Sequence, residues 1–173
     1  MPLYRIVAIS CCFLLLTTAP ASPQQPQQPP FKSSELQVVV KRAKRNAAGQ
    51  LVTLLLFTNM SPENLAIYGS GGTELTSETG DTLLSSETKG LPICTVDCNL
   101  TNAIVGLYVD PVIIERGNSL AATLIFPSEA RSSSCSLDLT MHIYVGSLGQ
   151  NSQLSNREKW HLVAVSLANI QAC

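Results

Sequence analysis

Two histidines, six cysteines and twelve carboxylates are the groups in this 173-residue chain that could carry chemistry, and their spacing excludes more than it offers. Acyl transfer needs a nucleophile whose proton is taken by a nearby base, usually a histidine. His142 falls on the polar side of an alternating segment beside Tyr144, and His161 follows Trp160 at a strand start, so both read as surface histidines of a sheet. The serine-bearing run Tyr68 to Gly72 (YGSGG) lacks Gly-x-Ser-x-Gly spacing and no helix follows it, which predicts a turn. No two carboxylates stand out as an acid and base pair, and Asp81, Asp97 and Asp110 are too irregularly spaced for a calcium loop. Nor is there a phosphate-cradling or dinucleotide motif. The sequence therefore assigns no catalytic residue, no metal site and no cofactor.

The start of the chain fixes the redox setting of the cysteines. Arg5 precedes an uncharged run from Ile6 to Leu16, and Ala19-Pro20-Ala21 supplies small residues at the positions a signal peptidase reads. Residues 1–21 are expected to be a signal peptide, which makes the protein secreted or periplasmic. The 11-residue run is too short for a stable membrane span, which takes roughly 20 residues. Cys11 and Cys12 leave with it, and because Phe13 to Leu16 lie beyond them they do not fit a lipoprotein site. Cys94, Cys98, Cys135 and Cys173 remain, an even number in an oxidising compartment, and are expected to form two disulfides. Zinc is the weaker reading, since only Cys94 and Cys98 show ligand-like spacing.

Loss of Arg5 leaves ten Lys and Arg against twelve Asp and Glu, a balance with no pull toward nucleic acid. Residues 22–34 include Pro23 to Pro30 (PQQPQQPP), half of them proline, and read as an extended linker. A single domain over residues 35–173 follows. In it, short runs rich in Val, Ile, Leu and Thr alternate with Gly, Ser, Asn, Pro and Asp clusters, and no helical period appears. Strands are predicted at 36–44, 51–58, 65–68, 82–85, 103–109, 119–126, 137–145 and 160–167. Leu137 to Val145 alternates most cleanly, with its odd positions apolar. The pattern predicts an all-β, two-sheet antiparallel sandwich.

The segment Leu51 to Asn59 (LVTLLLFTN), ending in Thr-Asn, and Glu115 to Pro127 (ERGNSLAATLIFP), with a Gly-x-Ser turn before an apolar strand, resemble exported immunoglobulin-like domains. The resemblance implies the same sandwich and no functional residue, and the Cys-Trp-Cys core of antibody domains is missing. Pairing 137–145 with 160–167 so that Val145 faces Trp160 brings Cys135 near Ile170, which favours Cys135–Cys173 and a small Cys94–Cys98 loop.

Lys41, Arg42, Lys44 and Arg45 hold four of the ten positive charges. They read as the solvated end of an edge strand, with contact to an acidic partner or polyanion, or dibasic processing, as competitors. Asn99-Leu100-Thr101 is a glycosylation sequon, used only in a host that glycosylates asparagine. The expectation is a non-enzymatic protein that binds another macromolecule, with a protein the expected partner and a cell-surface or envelope assembly the expected setting. The contact regions would be 69–102 and 146–159. The alternative is a small-ligand or carbohydrate-binding module, which exposed clustering of Tyr68, Tyr108, Tyr144 and Trp160 would favour.

Overall fold

A computed structural model describes residues 28–94, 111–128, 135–148 and 160–172, with Cys94 described in its backbone alone. The predicted strand 103–109, the sequon at Asn99 and the loop 149–159 lie outside the described residues. Eleven strands are described: β1 (Phe31–Lys32), β2 (Leu36–Arg45), β3 (Leu51–Asn59), β4 (Asn64–Ser77), β5 (Thr82–Leu84), β6 (Glu87–Lys89), β7 (Ile93–Cys94), β8 (Val112–Ile114), β9 (Ser119–Phe126), β10 (Ser136–Leu148) and β11 (Trp160–Gln171). They form the expected all-β, two-sheet sandwich. The first sheet runs β1-β2-β3-β9-β6 and the second β11-β10-β4-β5, with β7 and β8 also on β4. Every pairing is antiparallel except β4 with β7.

Period-two burial decides which side chains face inward. The odd positions of β10 from Leu137 to Val145, and Leu51, Leu55 and Phe57 of β3, are buried together with Leu124 and Phe126 of β9. Fully burying each such side chain contributes about 1.5–3 kcal/mol. Thr53 is the exception on β3, since its Oγ1 is buried with no hydrogen-bond partner.

The two segments that carried the immunoglobulin-like resemblance meet in space. Thr58 and Ser119 hydroxyls are 2.8 Å apart, and the Asn59 amide donates to Asn118 O at 3.0 Å. The buried Asn59 side chain donates to Glu63 O at 2.8 Å and Ile114 O at 2.9 Å, and accepts from Ser61 N–H at 2.8 Å. The side chain thus ties the β3–β4 turn to β8, and the backbone of the same residue holds the β8–β9 turn.

Three expectations are corrected. Tyr68 to Gly72 is not a turn but part of β4. Its glycines serve a bulge between Glu74 and Ser70, where Gly71 adopts φ 69°, a conformation that favours glycine. The region 69–102 is accordingly no open loop over its described length, because it supplies the rest of β4 and β5, β6 and β7. Phe31–Lys32, assigned to the linker, pair with Val38 and Gln37, and Phe31 packs against the core. Order thus begins before residue 35.

A further correction concerns β10 and β11. Trp160 pairs with Gly146, one residue away from the expected partner Val145, and this register holds to Leu139↔Leu167. A bulge then shifts it to Leu137↔Ile170, where Asn169 takes φ 60° and its N–H donates to Asp138 Oδ1 at 2.8 Å. A slip of one residue moves a side chain to the other face of a sheet. The observed register places Trp160 on the outer face.

Candidate functional site

The outer face of the second sheet carries an aromatic group assembled from three strands. Even positions of β10 point outward, so Tyr144 lies on this face, directly paired with Tyr68 of β4 and Leu162 of β11. The Tyr68 and Tyr144 ring centroids are 4.9 Å apart at an interplanar angle of 31°. Trp160 starts on β11, two strands from β4, yet its ring centroid is 5.3 Å from that of Tyr68 at 48°. Adjacent strands are about 4.8 Å apart, so the indole must cross β10 to get there. Gly146 lets it cross, since it has no Cβ to stand in the way of the ring.

Aliphatic side chains flank the rings. Ile113, paired with Ala66, and Leu162 are each 50% exposed. They are two of the four large hydrophobic residues exposed among the described ones, and the three rings between them are half-buried. Burial, and then the neighbouring Tyr144, push the Tyr68 phenol from 10.0 up to about 12. The face is thus neutral, apolar and aromatic, with exposed His142 one step further along β10, opposite Ser70.

Sequence reasoning named Tyr68, Tyr144 and Trp160 as residues whose clustering would matter, and the structure brings these three together. Tyr108 is outside the described residues. Ile113, Leu162 and Gly146 were missed, because their part depends on register.

The other candidates are placed elsewhere. Lys41, Arg42 and Lys44 are exposed on the C-terminal half of β2, which no described strand covers, while Arg45 Nη1 donates to Gly49 O at 2.9 Å across the β2–β3 turn. His161 Nε2 lies 3.1 Å from Glu35 Oε2. That pair is partly exposed and joins β11 to the turn before β2. Gln28 Nε2 donates to Ala168 O at 3.2 Å, so residues 28–35 run beside the outer edge of β11. Cys135 is disulfide-bonded, and the pairing of Cys94, Cys98 and Cys173 lies outside the described side chains. Among the described residues no helix is long and apolar enough to cross a membrane.

No family model and no curated protein matches the chain. Among solved structures it is similar to the GAE domain of yeast GGA1, with TM-score 0.42 and 9% identity over 82% of this chain and 97% of that one. The GAE domain of Saccharomyces cerevisiae GGA2p gives TM-score 0.37 and 13% identity over 82% and 94%. AvmM, which catalyses macrocyclization in alchivemycin A biosynthesis, gives 0.30 and 11% over 86% and 98%. Likeness at this level carries no activity or partner across.

Proposed function

We propose that this chain is an exported, non-catalytic binding domain that recognises a protein partner through the outer face of its second sheet. The observation that carries the reading is the group of Tyr68, Tyr144 and Trp160 held between half-exposed Ile113 and Leu162. Tyrosine and tryptophan supply large contact area at low entropic cost and dominate the centres of protein interfaces. The signal-peptide grammar of residues 1–21 supports a secreted or periplasmic site of action, where the Pro/Gln segment after it would hold the domain off a surface. A disulfide from Cys135 to Cys173 belongs to the same picture, and the Ala172 N–H, which donates to Cys135 O at 2.8 Å, supports it.

The aromatic clustering also favours a carbohydrate-binding module. Its geometry favours protein: the rings are tilted against one another by 31° and 48° instead of forming one flat platform, and their neighbours are aliphatic. Catalysis finds less support. His161 has a carboxylate neighbour in Glu35, but the pair is partly exposed and spans two surface elements.

Leu162→Glu and Ile113→Glu test the proposal. Each puts a charge into the apolar face at a half-exposed site, leaving the fold intact. Partner co-purification from the exported compartment is expected to fall with either variant and to survive Ala121→Glu on the first sheet. Unchanged co-purification would contradict the assignment.

A further inference from the structure

We infer that the edge of β2 from Val39 to Arg45, which has no neighbour among the described residues, accepts an extended acidic segment of a partner protein as an added strand of the first sheet. This edge is the place that β1 would fill if it continued. With Phe31 opposite Val38, the next pairs would be residue 30 with 39 and residue 29 with 40. Those positions are Pro30 and Pro29, which have no N–H to give to a ladder. The chain turns away instead, and Gln28 reaches Ala168 on the other sheet. β1 is held to two residues by its own sequence, and the rest of the β2 edge has no described neighbour on that side.

The backbone groups on this edge follow from the turn. Asn46 N–H donates to Gln50 O at 2.9 Å, and antiparallel pairs alternate, so Arg42 and Lys44 are bonded toward β3 while the amide and carbonyl of Ala43 face outward. Val40 faces the same way, by the same alternation counted from the Ser33 to Leu36 bond. The side chains set the chemistry of the occupant. Arg42 and Lys44 pair with Leu54 and Val52 on the outer face, Lys41 sits at the bulge between them and Val40, and all three are exposed. Among the described residues no carboxylate pairs with any of them. A strand with Asp or Glu at every second position would set its charges opposite Arg42 and Lys44 while its backbone completes the ladder. This site is separate from the aromatic face and stands or falls without it.

The test uses the mature protein and three probes: a synthetic peptide alternating valine with glutamate, the same peptide N-methylated at alternate amides, and poly-glutamate. The alternating peptide is expected to bind, to slow amide hydrogen exchange at Val40 and Ala43, and to weaken about tenfold or more on Arg42→Glu/Lys44→Glu. N-methylation should abolish binding, because it removes donors without changing charge. Equal binding of the methylated peptide or of poly-glutamate would show simple charge attraction and overturn the strand assignment. No binding by any probe would leave the cations as protection against edge aggregation, and would overturn it as well.

Discussion

Trp160 lies against Gly146, with indole Cδ2 and Cε2 both 2.7 Å from the point where a Cβ at residue 146 would stand. Side chains essentially never pack so closely, so the aromatic group exists only because residue 146 has none. Gly146→Ala is expected to push the indole off β10 and away from Tyr68, at a cost of about 1–3 kcal/mol. Trp160 is the only tryptophan, so its emission reports the change directly. A red shift with the sheet circular dichroism retained is the expected result, and an unchanged spectrum would contradict it.

Asn59 and Thr53 are both buried polar residues on β3 with opposite hydrogen-bond status. Asn59→Ala strips partners from Glu63 O, Ile114 O and Ser61 N–H, and should lower stability by about 2–4 kcal/mol in denaturant unfolding. Thr53→Val removes a buried hydroxyl that bonds to nothing, keeps the shape, and should raise stability by about 1 kcal/mol. A destabilised Thr53→Val would show that Oγ1 has a partner after all.

Tyr68 makes stability depend on alkaline pH. Below pH 10 its phenol is neutral in both states. Between pH 10 and about 12 the unfolded chain releases the proton while the folded one keeps it, so folded stability falls as pH rises through this window. Absorbance titration of the folded protein should show one phenolate transition near pH 12, absent in Tyr68→Phe. If that variant keeps the late transition, the assignment fails.

Non-reducing peptide mapping should find Cys135 joined to Cys173 and a chain starting at Ser22. Reduction should then cost on the order of 3–4 kcal/mol, since the bond closes a long loop. Cys135 joined to Cys94 or Cys98 would contradict the pairing.

Much of the fold was legible because alternation is a local signal. Leu137 to Val145 declares its two faces in one-dimensional sequence, and both the Thr58-Asn59 end of β3 and the Gly117 to Ser119 turn were visible before their contact was known. Register was not legible. It is set by bulges at Asn169 and Lys41, which each absorb one extra residue, and at Gly71, which absorbs two, all opposite partners distant in sequence. The aromatic face depended on that register: a pairing one residue off turns Trp160 inward. Gly69 to Gly72 misled for a related reason, since glycine marks a bulge as readily as a turn.

Photo-crosslinking in the native compartment tests the central claim most directly. A photoreactive residue at Leu162 or at Ile113 should each yield a discrete protein adduct, lost in Trp160→Ala, while the same residue at Ala121 on the opposite sheet yields none. Equal adducts from all three positions, or none from Leu162 and Ile113, would contradict a protein-binding face on the second sheet.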